Sequence, residues 1–310
     1  MKHGARLALT LVVTWFILDR VGFNVQELQA MEIGSMRPHA LGFAASVTLL
    51  LMMYFVSAAI WGRIVVDLGG PSIPTARAVR LFMIANLGRY IPGKVWQIAG
   101  LAALAKGQGV PAATATGAAV LGQGLAVAAA GSIGLGALLT GSEALRQAGI
   151  VGGVLVVVGI CLIAIPSVFE RGVALWFRLA RTDPPESLGS AHGIRWFIFY
   201  LMNWMGYALS FWLLVTSFGM PVPLIPTASA FAAAYVLGYL MIFAPAGLGV
   251  REGFLVAFLT PHVGIVNAGA ISVVHRIWIT GVEVVPAGVF WLMHLRETPT
   301  DKRQGAAPNE

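Results

Sequence analysis

Two stretches of this chain could do chemistry inside an apolar environment. One is Pro245-Ala-Gly-Leu-Gly-Val-Arg-Glu-Gly253 and the other is Asn86-Leu-Gly-Arg-Tyr-Ile-Pro-Gly-Lys94. Each sets proline, glycine and ionisable residues within an apolar run. Proline and clustered glycine break helices, and in lipid the freed backbone groups must be covered by protein or water. A helix that restarts after such a break offers free N–H groups that attract anions, and glycine lets a phosphate approach the backbone closely. At the first break Arg89 and Lys94 flank Pro92 and Gly93; at the second, Gly247 and Gly249 precede Arg251 and Glu252. The chemistry this pattern predicts is the binding of an anionic headgroup. Arg89 and Lys94 also admit a plainer role, snorkelling to the cytoplasmic interface to fix orientation.

Glu252 has three readings: a counter-ion that tunes Arg251, a proton-carrying group coupled to transport, or half of a structural ion pair that holds its hairpin. In the last apolar run Arg276 and Glu283 stand two helical turns apart, so they share a face. That face must look inward, because lipid exposure is costly for both charges. His275 points well away from it. Gln123 reads as a residue hydrogen-bonding between helices, worth roughly 1 kcal/mol. The glycines at 117, 122, 124, 131, 134 and 136 read as close helix packing; Gly122-Gln-Gly124 lacks the strand and third glycine of a dinucleotide fingerprint.

The elements that must position these residues follow from composition. The chain has 310 residues, 58% hydrophobic and only 11% charged, whereas a soluble domain carries about 25% charged residues. Several runs reach the length that spans a bilayer, so this is an all-α, polytopic membrane protein. The net charge of +7 falls mostly in short loops, as the positive-inside rule predicts, and does not point to nucleic acid. Scattered histidines and the lone Cys161 give neither a metal site nor an intrachain disulfide. No cofactor is expected. Trp61, Trp196 and Trp291 read as interface anchors at span ends, and Trp96, Trp204 and Trp278 as interior.

Spans are expected at residues 7–18, 40–62, 112–140, 149–166, 195–218 and 267–295. Arginine-rich loops at 63–80 and 171–195 both belong inside, so an even number of crossings lies between them. Residues 81–106 must then enter and return, as a re-entrant hairpin turning near 89–94. The same parity makes residues 228–260 a second hairpin, broken at Pro245 and entering from the opposite side. Placing Pro92 on Pro245 also puts Gly100 on Gly253, Val110 on Val263 and Gln123 on Arg276. The expectation is about six full transmembrane helices plus two re-entrant broken hairpins in an inverted repeat, a recurring transporter design.

The two motifs, with their spacing, resemble the lysylphosphatidylglycerol synthase transmembrane (flippase-like) family, over about residues 7–295. That family includes the membrane half of the multiple peptide resistance factor, which moves aminoacylated phosphatidylglycerol between leaflets. Other members are linked to glycosyltransferases that use polyprenyl-phosphate carriers. By this resemblance Arg89, Pro92, Gly93, Lys94, Gly247, Gly249, Arg251 and Glu252 map onto the family's motif positions. Where members tend to carry a polar or acidic residue followed by arginine, Gln123-Gly124 stands here, which speaks against an ionised role.

The expectation is therefore one flippase-like transmembrane domain at 1–295 and a polar, disordered cytoplasmic tail at 296–310, too short for a synthase domain. Headgroup binding falls to Arg89, Pro92, Gly93, Lys94, Gly247, Gly249, Arg251, Glu252, Arg276 and Glu283. The function expected is translocation of an anionic phospholipid or polyprenyl-phosphate-linked lipid across the cell (inner) membrane, with both termini cytoplasmic. The alternative is an accessory subunit or enzyme in lipid-linked glycosyl or aminoacyl transfer. Expected partners are that lipid and a glycosyltransferase or lipid-modifying enzyme.

Overall fold

The computed structural model describes residues 37–91, 95–139, 143–183, 185, 188–241 and 247–297, excepting the side chains of 144, 145, 148 and 294–297. The predicted span at 7–18 lies outside them, as do Pro92, Gly93, Lys94, Pro245 and most of the expected tail. The described elements are all helical: α1 (Ala40–Asp67), α2 (Thr75–Asn86), a 3-10 turn (Leu87–Tyr90), α3 (Trp96–Lys106), α4 (Ala112–Leu139), α5 (Glu143–Ala164), α6 (Pro166–Leu179), α7 (Ser190–Ser217), α8 (Leu224–Leu240) and α9 (Val250–Glu297). Four of them, α1, α4, α7 and α9, are long and apolar enough to cross a membrane, and the bent pair α5–α6 would make a fifth.

The helix α9 is a hairpin rather than one rod. Gly264 leaves helical geometry at φ 77° and ψ 158°, a region essentially confined to glycine. Ser272 Oγ then donates to the Glu252 carbonyl at 3.4 Å. A straight helix would hold those residues about 30 Å apart, so the chain doubles back at Gly264. The first arm, 250–263, is short; the second, 265–297, has the length of a full span.

The core is built on α1 and α7, which pack along their length, with α4 laid against α8 and α9 against α2. Close approach explains the small residues of α4. A side chain at Gly134 would come within 2.7 Å of the Ala233 backbone nitrogen on α8. Gln123 Nε2 reaches Tyr235 Oη at 3.2 Å across the same pair, as the interhelix reading predicted.

Two local expectations need correction. The chain after α5 is not simply a basic loop: it bends by 87° into the helix α6. Pro166 cannot continue α5, and the residue before it, Ile165, is extended at φ −82° and ψ 111°. Phe169, Val173 and Phe177 face the protein while Arg171 and Arg178 stay exposed, the pattern of an amphipathic helix. The tryptophans also sort differently. Trp61 and Trp196 are buried and Trp96 is half exposed. Trp196 Nε1 instead donates to Asp67 Oδ2 at 2.9 Å, where Arg195 and Arg63 also pair. Packing of α1 on α7, rather than distance from a span end, decides where these rings go.

Candidate functional site

The first break turns tightly. The 3-10 turn presses Gly88 onto the start of α3, where an added side chain would lie 2.6 Å from the Gln97 nitrogen. That packing aims Arg89 and Tyr90 at the second arm of α9. Arg89 Nη1 donates to Glu283 Oε1 at 2.5 Å, and Tyr90 Oη donates to Glu283 Oε2 at 2.5 Å. From α1, the Tyr54 hydroxyl donates to the first of those carboxylate oxygens. Glu283 is 1% exposed, so its charge is tolerable only because a guanidinium and two hydroxyls surround it.

The second break uses glycine for its backbone. Gly247 and Gly249 sit at φ 69° and 78°, where other residues are strained. Gly247 rests against the Gly238 carbonyl of α8, which seats the start of α9 on that helix. Gly249 N donates to Glu252 Oε2 at 2.7 Å, placing a carboxylate at the positive end of the helix. The other Glu252 oxygen accepts from Arg276 Nη1 at 3.3 Å. Of the three readings of Glu252, these contacts are those of the structural ion pair: it ties the two arms of α9 together. The guanidinium of Arg276 also lies 5.8 Å from the Tyr90 ring centre.

Arg251 goes elsewhere, because successive helix positions turn by about 100°. It is 6% exposed. Its guanidinium carbon lies 5.1 Å from the Phe231 ring centre and 5.3 Å from that of Tyr235. Among the described residues its Nε and Nη2 find no hydrogen-bond partner. Buried polar groups are almost always paired, so a buried guanidinium held only over two aromatic rings is unusual.

Two adjoining cavities meet at this arginine, about 790 and 570 Å³ with their open mouths included. Arg89, Gln97, Gln123, Tyr235 and Arg251 line both. Residues from the two sequence breaks thus face one cleft. Also lining the larger cavity, Asn203 Nδ2 donates to Ser57 Oγ at 2.7 Å, and Ser57 also contacts Tyr207 Oη at 3.0 Å.

Of the expected headgroup residues, Arg89, Gly247 and Arg251 line the cleft, and Gly249 shapes its second break. Glu252, Arg276 and Glu283 are not among the residues lining the two cavities; Glu283 pairs with Arg89 and Glu252 with Arg276. Sequence reasoning missed Tyr54, Tyr90, Gln97, Asn203 and Tyr235. The signal for Tyr90 was its place inside the first motif; the others are polar tips scattered through apolar runs. His275 is fully buried against Phe211, Phe231 and Trp278.

No curated protein matches this chain. Residues 5–286, which contain both breaks and the whole cleft, match the model of a family described as the lysylphosphatidylglycerol synthase TM region. With its apolar helices long enough to cross a bilayer, the chain is a multi-pass membrane protein and belongs to the lysylphosphatidylglycerol synthase transmembrane family.

Proposed function

We propose that this protein binds the anionic headgroup of a membrane lipid in the cleft between Arg89 and Arg251 and carries it between leaflets. The observation that carries the reading is Arg251: a buried guanidinium with no carboxylate partner among the described residues, lining a cavity that Arg89 also lines. A structural charge would have been given a partner. Pro92, Gly93 and Lys94 complete the proposed headgroup segment at the first break.

Translocation needs two arrangements of one site, and an inverted repeat supplies them by rocking one half on the other. Two features support such a repeat. Each half runs as helix, break, short helix, left-handed glycine and long helix, with Gly109 at φ 75° answering Gly264 at φ 77°. The packing also exchanges: α4 of the first half lies on α8, and α9 of the second half lies on α2. On this reading there are six full spans and two re-entrant hairpins entering from opposite faces of the cell (inner) membrane. The domain is continuous to about residue 295, and both termini are cytoplasmic. The family's name joins these chains to headgroup synthesis, so an enzyme that makes or modifies the lipid is the expected protein partner.

Two experiments test this. With exposed Cys161 replaced by alanine, Gln108→Cys should label from the cytoplasm and His262→Cys from outside; labelling of both from one side would refute the inverted repeat. In vesicles holding the purified protein, a fluorescent anionic lipid should cross between leaflets, and Arg251→Ala should stop it. A scaffold or accessory subunit would be indifferent to that change.

A further inference from the structure

The helix α6 carries a surface that the cleft does not use. Beside the face it buries, Ile165, Val168, Leu175 and Leu179 are exposed, Leu175 by 58% and Leu179 by 74%. With Gly172, which has open space in front of it, they recur at intervals of three and four residues and so form one apolar stripe. At about 100° per residue, Arg171 and Arg178 lie about 40° and 60° from Leu175 and edge that stripe. Both are exposed. Glu170, also exposed, lies about 140° from Leu175, on the other side of the helix.

Neighbouring helices hold α6 in this attitude. Trp176 Nε1 donates to the Ala113 carbonyl in the first turn of α4 at 3.1 Å. Phe169 packs edge-on against Trp196 of α7, 6.0 Å between ring centres. The helix ends in a Schellman motif, in which Thr182 N donates to the Phe177 carbonyl and Arg181 N to the Arg178 carbonyl, both at 3.0 Å. Glycine usually fills the left-handed position of that motif. Here it is Arg181, exposed and at φ 58°, so a third cation stands where a side chain strains the backbone.

What covers the stripe follows from the bend. The exposed Val151, Leu155, Val158 and Leu162 of α5 lead down to Ile165 at the turn. With α5 across the bilayer, the 87° bend lays α6 along the membrane surface. An apolar stripe edged by arginines at that level matches the acyl chains and phosphates of anionic lipid. The stripe is also continuous with the apolar side of α5, which a soluble partner would have no means to follow into the bilayer.

We infer that α6 is an in-plane helix that binds anionic phospholipid of the leaflet it lies on, with acyl chains along Val168, Leu175 and Leu179 and phosphate at Arg171 and Arg178. None of these residues lines either cavity. The inference rests on α5 being a span and is independent of lipid movement through the cleft.

The test uses the full chain with Cys161→Ala in phosphatidylcholine vesicles, with one bimane-labelled cysteine from Leu175→Cys, Leu179→Cys, Glu170→Cys or Leu155→Cys. The quenchers are iodide in the water and a doxyl group on the acyl chain of phosphatidylcholine or phosphatidylglycerol. Labels at 175 and 179 should be quenched by lipid and shielded from iodide, and the label at 170 should be quenched by iodide. At 175 and 179, doxyl-phosphatidylglycerol should match the phosphatidylcholine form at about fivefold lower mole fraction; at 155, on α5, the two should be equal. Arg171→Gln combined with Arg178→Gln should remove that preference, as should high salt, whereas Arg251→Ala should leave it. Each comparison is made within one variant, so a loss of folded protein cannot imitate it. Iodide reaching 175 and 179, or equal quenching there by the two lipids, would overturn the inference. Labels shielded from both quenchers and cross-linking between copies would overturn it too, in favour of a dimer face.

Discussion

Arg89 donates to Glu283 across 2.5 Å and so ties the first helix break to the last long helix. The two residues lie 194 positions apart in sequence, and nothing local brings them together. Tyr54 and Tyr90 complete the carboxylate's shell. The consequence is that Arg89 holds its place at the cleft wall while much of its charge is balanced from behind. Arg251, lining the same cleft, has no such carboxylate partner among the described residues.

Removing the carboxylate should therefore be costly. Glu283→Ala strands a buried guanidinium and two hydroxyls, and a loss of about 3–5 kcal/mol is expected. Glu283→Gln keeps the shape and part of the hydrogen bonding, so it should lose less. The double variant Arg89→Ala with Glu283→Ala should recover part of the single-variant loss. Unfolding midpoints in detergent of the wild type, Arg89→Ala, Glu283→Ala and the double variant would show this coupling, and additive losses would argue against it.

Arg251 should behave in the opposite way. Its unmade hydrogen bonds cost about 1–3 kcal/mol each, against about 2 kcal/mol gained over the two rings. Arg251→Leu is therefore expected to leave stability unchanged or raise it by up to about 4 kcal/mol while removing lipid movement, a separation typical of functional sites. Parallel melting and vesicle assays test it; a strongly destabilised but active variant would contradict it.

Glu252→Gln weakens both the contact to Gly249 N and the bridge to Arg276. A loss of about 1–2 kcal/mol is expected. Amide exchange should quicken at 247–253 and around 272–276, because one side chain ties both arms of α9. Exchange rising in only one of those segments would show that the arms are held independently.

Gly264→Ala isolates a backbone effect. Nothing lies within 4 Å of an added Cβ there, so steric crowding does not contribute. The dihedral angles alone should cost about 1–3 kcal/mol, read as a lower melting temperature. An unchanged melting temperature would mean that the hairpin tolerates a different turn.

The breaks were legible in the sequence because proline, glycine and charge stand out against apolar runs, whatever the tertiary structure. The pairing of charges was not. Arg251 and Glu252 are neighbours in sequence, yet the helix turns them to different surroundings, one to Phe231 and Tyr235 and the other to Arg276. The shell of Glu283 draws on α1, the first break and α9, and no spacing rule relates those segments. Trp61 and Trp196 show the same limit: a tryptophan at a span end can face lipid or another helix. The reading of Gln123 succeeded because a lone amide in an apolar helix has few alternatives to a neighbouring helix.

The short first arm of α9 has an electrical consequence. Residues 250–263 reach only about 21 Å, less than the roughly 30 Å of a bilayer core. On the re-entrant reading proposed above, that arm enters from one face and puts Arg251 within the transmembrane field rather than beside it. A unit charge crossing the whole field exchanges about 2.3 kcal/mol per 100 mV. Occupancy of the cleft by an anion should then shift with membrane voltage, by a share of that energy set by the depth at which Arg251 lies.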